Sequence, residues 1–293
     1  MALLLLGGPT AAGKTELALE LAERWAAALV SADAMQVYRG MDIGTAKPPP
    51  PVRARFPHAC MDVREPDQDF SVADFLEAVA QASATAPHVL VVGGTPFWLA
   101  ALVRPLAALP PGDPVVRAAL EALPDPHARL AQVDPPMAAR LHPNDRLRVV
   151  RALEVHALSG RPMSELWAEG PRPQEGALGA AEPAPVVAWL DRSDLRERIG
   201  ARLAQMMAEG YLDEVRNLLD RGFGRDCKPM RSLGYRHLAE HLELGLPLDE
   251  ALRRTERDTW RLARKQRTWA RGMGWSSQDP AAVRALAEQH LGR

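Results

Sequence analysis

One stretch, Leu3–Thr15 (LLLLGGPTAAGKT), constrains this chain more than any other. Four leucines run through Gly7 into Gly8-x-x-x-x-Gly13-Lys14-Thr15, and the helical sequence Glu16–Arg24 follows. A buried strand, a glycine loop and a helix start stand in the order that a P-loop requires. The loop Gly8, Pro9, Thr10, Ala11, Ala12 and Gly13 is expected to cradle linked phosphates with its backbone N–H groups, Pro9 alone having none. The helix N-terminus adds partial positive charge and Lys14 a full one. The Thr15 hydroxyl suits a Mg2+ ion bridging those phosphates. The pattern predicts a site for a di- or triphosphate group, and leaves open which molecule carries it and which bond breaks.

With 293 residues, 47% hydrophobic and 25% charged, the chain fits a globular protein of one large or two modest domains. Leu3–Leu6 is too short to span a membrane, and no basic region precedes it as in a secretory signal. Cys60 and Cys227, the only two cysteines, give neither metal-ligand spacing nor a disulfide framework, which predicts a cytoplasmic setting. With a net charge of −1, any nucleic-acid surface has to be local.

Ala28–Ser31 reads as a second strand that delivers Asp33, Ala34, Met35 and Gln36 to its carboxyl end, where open α/β sheets place their chemistry. On the residues alone, Asp33 is as well a helix cap or turn aspartate as a functional carboxylate. The loop through Asp42 and Gly44 brings one more cation, Lys47, and the tract Pro48–Pro51 is expected to be extended. Phe56–Val63 should hold a short strand, and Ser71 with Asp74 three residues on forms a capping box. His88–Val92 is a further strand, ending in Gly93-Gly94-Thr95. Strands alternating with helices predict a parallel sheet with right-handed crossovers.

From about Pro105 the character changes. Proline-rich connections lead into helical segments at 115–123 and 126–133, then Arg140, Arg146, Arg148 and Arg151, the last two sharing a helical face. Residues 113–185 are expected to form an all-helical insertion, with a loop or linker at 168–185, inside a core of 1–112 and 186–275, with a separate tail helix at 276–293. Val186–Leu190 returns as a strand, residues 194–221 as helix, and 228–236 as a turn carrying cations. A long helix over 249–271, capped by Asp249, holds eight Lys or Arg against two acids between 251 and 271, a net of +6. Arg253, Arg257, Arg261 and Arg264 make one stripe, suited to a phosphate backbone or simply to solvent.

These motifs stand in one order. The P-loop, Ser31-Ala-Asp33-Ala-Met-Gln36-Val-Tyr38-Arg-Gly-Met-Asp42-Ile-Gly-Thr-Ala-Lys47, Gly93-Gly-Thr95, His142-Pro-Asn-Asp145, Arg151-Ala-Leu-Glu154, Leu233-Gly-Tyr-Arg236 and Arg264-Lys-Gln266-Arg-Thr-Trp269 together resemble the bacterial tRNA dimethylallyltransferases, from about Leu3 to Trp275. The resemblance implies a P-loop NTPase-like α/β core with a helical insertion. It also implies transfer of a dimethylallyl group from its diphosphate to N6 of the adenine 3′ of the anticodon, in tRNAs reading codons that begin with U. The P-loop would hold the donor's diphosphate, with Mg2+ on Thr15.

By the same resemblance, Asp33 matches a general base, relieving N6 of a proton as attack begins. Thr95 would bond the adenine, and Arg231 would join the cations on the leaving group. Contacts with the anticodon stem-loop would come from Asp33, Ala34, Met35, Gln36 and Thr95, from Arg117, and from Leu147, Arg148, Val149, Val150 and Arg151. Gln36 offers an amide suited to a base edge. A monomer is expected.

Ala34 stands where the family commonly has serine, Pro96 and Trp98 where it has glycine and tyrosine, and His237 where it has an acid or amide. Three other readings compete. A P-loop kinase would use Asp33 on a substrate hydroxyl and consume ATP. A nucleotide-gated RNA-binding protein would do no covalent chemistry. Prenyl transfer to free AMP would need neither the insertion nor the basic helix.

Overall fold

The computed structural model describes residues 2–104, 106–170 and 184–292. Residues 171–183, the greater part of the expected 168–185 linker, lie outside them. The chain divides into two compact units, 104–176 and the remainder.

The larger unit is built on six parallel strands: β1 (Ala2–Gly7), β2 (Ala28–Ser31), β3 (His58–Ala59), β4 (His88–Gly93), β5 (Val186–Leu190) and β6 (Ser277–Gln278), in the order β3-β2-β4-β1-β5-β6. β1 pairs with β4 from Ala2↔His88 to Gly7↔Gly93 and with β5 from Leu4↔Val186 to Gly7↔Trp189. Alternation along β1 explains why all four leucines are fully buried. Leu3 and Leu5 join one hydrophobic layer, Leu4 and Leu6 the other.

The first layer is covered by α3 (Val72–Thr85), α4 (Pro96–Val103), α11 (Tyr211–Asp220) and α12 (Tyr235–Leu244), the second by α1 (Lys14–Trp25), α10 (Leu195–Ala208) and α14 (Pro280–Leu291), while α13 (Leu248–Gly272) feeds residues to both. The chain runs from β1 to β2 on one side and returns to β4 beside β1, so the crevice at the carboxyl ends of β1 and β4 is a topological switch point.

The smaller unit is all-helical: α5 (Pro114–Glu121), α6 (Pro126–Val133), α7 (Pro135–Arg140), α8 (Arg146–Ser159) and α9 (Met163–Ala168) pack around Leu130, Met137, Val149, Leu153 and Leu166. Asp113, Asp125, Asp134 and Asp145 each cap the N-terminus of one of its helices, accepting backbone N–H bonds.

Four expectations change. The proline tract is not wholly extended, because Pro50 opens the short helix α2 (Pro50–Arg55), where a missing N–H costs nothing. Residues 194–221 form two helices parted at Gly210, whose φ of 99° ends the continuous turn. The cap of α13 is Pro247, and Asp249 sits in the first turn paired with Arg253 at 2.5 Å. The separate C-terminal tail is part of the sheet unit: β6 extends the sheet, and α14 is tied to α1 by Arg284–Glu20 at 2.7 Å and Arg24–Glu288 at 2.7 Å.

Candidate active site

The glycine loop leaves β1 at Gly7 and enters α1 at Lys14, with Gly13 in the left-handed region at φ 89°. Lys14 is half-buried, and its Nζ donates to Pro9 O at 2.9 Å. Burial, aided by the positive charge of Arg202 and opposed by Asp33, lowers its pKa from 10.5 to about 8. An ammonium so desolvated gains strongly from an incoming phosphate. Thr15 is half-buried in the first turn of α1.

The end of β2 lies against the end of β4. Thr95 N donates to Ala32 O at 3.1 Å, and Thr95 Oγ1 accepts the Ala34 N–H at 3.1 Å. Asp33 Oδ1 accepts the Met35 N–H at 2.9 Å, which leaves Oδ2 for another partner. Gly93 is required here, since a Cβ would collide with the backbone of Ala32. A Cβ on Gly94 would lie 3.7 Å from Lys14 Nζ. Asp33, Thr95 and the phosphate loop therefore meet at the switch point.

Two arginines that the sequence reading missed complete it. Arg198 and Arg202 lie one turn apart on α10, directly after β5. Arg198 Nε donates to Ala11 O at 2.8 Å, and the half-buried Arg202 lies within reach of the Lys14 and Asp33 charges. Burial lowers the Arg202 pKa, and Asp33 opposes that shift. An i, i+4 arginine pair entering a helix at a strand's carboxyl end was the available signal. Arg231 is placed differently. Its guanidinium donates to Arg225 O (Nε, 3.3 Å) and Asp226 O (Nη2, 2.8 Å), and among the described residues it makes no bond to the loop.

The segment after Asp33 is fixed from within. Gln36 Oε1 accepts from Ser31 Oγ at 2.8 Å and its Nε2 donates to Thr45 O at 3.1 Å, so the amide proposed for a base edge braces its own loop. Lys47 is no free cation: its ammonium, 0% exposed, bonds Asp42 at 2.8 Å, Asp62 at 2.6 Å and Tyr38 O at 2.6 Å. Glu214 accepts the N–H groups of Asp42, Ile43 and Gly44 (2.8, 2.6 and 3.0 Å) and the Tyr235 hydroxyl (2.6 Å).

In the helical unit, Glu154 is fully buried and bonds Arg151 at 2.5 Å, Arg117 at 3.1 Å and Asp113 N at 2.9 Å. Val149 and Val150 are 1% and 2% exposed, so their side chains pack inward. Leu147 and Arg148 are the members of that stretch that project into solvent.

A parallel α/β sheet with a glycine loop, a half-buried lysine, two arginines and a carboxylate at its switch point defines an enzyme of phosphorylated substrates. Family models described as IPP transferase and Isopentenyl transferase match residues 36–273 and 1–52. A tRNA dimethylallyltransferase of Syntrophobacter fumaroxidans is 46% identical over 91% of this chain and 80% of its own length. One from Geobacter sulfurreducens is 42% identical over 95% of this chain and 90% of its own length. The crystal structure of the full-length tRNA isopentenylpyrophosphate transferase of Bacillus halodurans matches with a TM-score of 0.67 and 31% identity, covering 99% of this chain and 96% of that one. The chain belongs to the tRNA dimethylallyltransferase family.

Proposed function

We propose that this protein transfers a dimethylallyl group from dimethylallyl diphosphate to N6 of the adenine 3′ of the anticodon, in tRNAs reading U-initial codons. The observation that carries this reading is the cluster of Asp33, Lys14 and Arg202 at the switch point of a chain of this family. A carboxylate stands beside cations, as attack by a weak nucleophile on an ionising diphosphate demands.

Lys14, Arg198 and Arg202 hold the diphosphate and stabilise the charge that grows on it as the allylic C1–O bond breaks. N6 attacks C1, and one N6 proton passes to Asp33, whose Oδ2 is free of the Met35 bond. Thr95 Oγ1 takes its own hydrogen bond from Ala34 N, so its hydroxyl proton is available to an acceptor on the base. The residues fit Mg2+ only as a diphosphate-borne ion. No group of three or more His, Cys, Asp or Glu among the described residues could hold a metal, and Thr15 offers one hydroxyl. Bound there, the ion would neutralise leaving-group charge.

The adenine has to leave its stack, at roughly a few kcal/mol. Contacts from the Asp33–Gln36 segment, Arg117, Leu147, Arg148 and Arg151 would offset that cost, with Gln36 acting through the loop it braces.

The test is mass spectrometry of an anticodon stem-loop incubated with protein, Mg2+ and dimethylallyl diphosphate, without ATP. A prenyl mass gain on the loop adenine, absent with Asp33→Ala, is the expected result. No gain with the unaltered protein, together with ATP turnover in a separate assay, overturns the reading in favour of a kinase.

A further inference from the structure

The cations of α13 are not equivalent, and their partners sort them. Arg253 pairs with Asp249 at 2.5 Å and Glu250 at 2.9 Å, Arg254 with Glu250 at 2.7 Å, and Arg267 with Asp191 at 2.8 Å. Each of these charges is matched by acid. The middle of the helix differs. Asp258, 8% exposed, accepts Arg257 Nε and Arg261 Nη1 on Oδ1, both at 3.1 Å, and Arg236 Nη2 on Oδ2 at 2.5 Å. Three guanidinium groups share one carboxylate, which leaves a local excess of two positive charges. One turn further on, Arg264 and Lys265 are exposed and have no acidic partner among the described residues.

Besides Arg271 in the last turn, which bonds only Arg267 O and Thr268 Oγ1 among the described residues, the α13 cations without an acid of their own are Arg257, Arg261, Arg264 and Lys265, and with Arg236 of α12 these four make one patch. The three arginine side chains on Asp258 are 43%, 52% and 63% exposed, so each has guanidinium donors facing solvent while Asp258 fixes its base. His237 tightens the set: its Nε2 accepts Arg236 Nε at 3.0 Å, and its Nδ1 bonds Thr255 Oγ1 at 3.1 Å.

We propose that Asp258 is a positioning residue that fans Arg236, Arg257 and Arg261 into a preorganised platform for the phosphodiester backbone of the tRNA substrate. This rests on the proposed action on tRNA. A row of anions, each with several acceptor oxygens, matches guanidinium forks along a helix better than one compact phosphate does. Tethering to Asp258 lowers the side-chain entropy that free arginines lose on binding.

The test is equilibrium binding of a full-length tRNA transcript by fluorescence anisotropy, read as log Kd against log salt from about 50 to 200 mM. The Arg257→Ala/Arg261→Ala double variant should reduce the slope by about 1.5, because each phosphate left without its cation takes roughly 0.7–0.9 off it. Asp258→Asn separates positioning from bulk charge. Loss of a negative charge alone tightens tRNA binding, whereas loss of the platform weakens it, by about threefold at low salt. An unchanged slope in the double variant, or tighter binding by Asp258→Asn, overturns the proposal. Anisotropy needs no turnover, so failure of the prenyl-transfer assay would leave this result standing on its own.

Discussion

Gln266 on α13 reaches across the active site to Thr10 in the phosphate loop, its Oε1 accepting the Thr10 N–H at 3.0 Å. Its Nε2 donates to Gly94 O at 2.6 Å. One amide therefore sets the spacing between the loop that would hold the diphosphate and the turn that carries Thr95. Gln266→Ala removes both bonds, about 1–3 kcal/mol of stability at ordinary net values. It should also lower the rate of prenyl transfer by on the order of 10- to 100-fold, because small displacements of reacting groups are costly. Gln266→Glu should do no better, since it keeps the acceptor for Thr10 but sets an oxygen against Gly94 O. Single-turnover rates with both variants check this, and a fully active Gln266→Glu would show that the Gly94 bond is dispensable.

Lys14 predicts a pH dependence. Its pKa is lowered to about 8 by burial and by Arg202, so the unliganded enzyme loses this charge as pH rises through about 8. A diphosphate binds the protonated form better. The KM for dimethylallyl diphosphate should therefore be flat below about pH 8 and rise above it, by up to about tenfold per pH unit. Donor KM measured across that range is the check, and a flat profile to pH 9.5 or so would dissociate Lys14 from donor binding.

Glu214 predicts a stability loss. Both its oxygens are saturated by donors: Oε2 takes Asp42 N and Ile43 N, Oε1 takes Gly44 N and the Tyr235 hydroxyl. Glu214→Gln replaces one oxygen with an NH2 group that must face donors, at a cost of about 2–4 kcal/mol. Thermal unfolding should register the loss, and Glu214→Asp, too short to reach all four donors, should recover only part of it.

The sheet was legible because its strands carry continuous apolar runs, Leu3–Leu6, Ala28–Val30 and Val186–Leu190, as strands covered on both faces do. The glycine loop and Gly93-Gly94-Thr95 were legible because close backbone approach restricts the residue type. Arg198, Arg202 and Glu214 were not, since each acts across long sequence separations from helices whose local pattern is ordinary. Arg198 meets Ala11, and Glu214 meets Asp42, only after the crossovers are made. Charge counting failed on α13 for the same reason: Asp191 and Glu240, outside the helix, neutralise part of it.

In the helical unit, the arginines expected to meet tRNA differ in what else they touch. Arg148 is exposed and pairs with Asp145 at 3.0 Å, whereas Arg151 and Arg117 neutralise the fully buried Glu154. Burial pushes the Glu154 pKa up, but hydrogen bonds from Arg151, Arg117 and Asp113 N outweigh it and hold the group below its ordinary value of 4.5. The sign follows: a depressed carboxylate stabilises above about pH 4.5, and that stability is lost as pH falls through the lowered value. Glu154→Gln should cost about 2–3 kcal/mol at neutral pH. That is less than the ~3–5 of a fully buried broken pair, because both guanidiniums are about a third exposed and regain water. It should also flatten the acid limb of the unfolding curve. Arg148→Ala should leave stability within about 0.5 kcal/mol and weaken tRNA binding. Urea titrations at pH 7 and 4 with parallel tRNA anisotropy measure both, and a destabilised Arg148→Ala or an unaltered acid limb in Glu154→Gln would contradict these assignments.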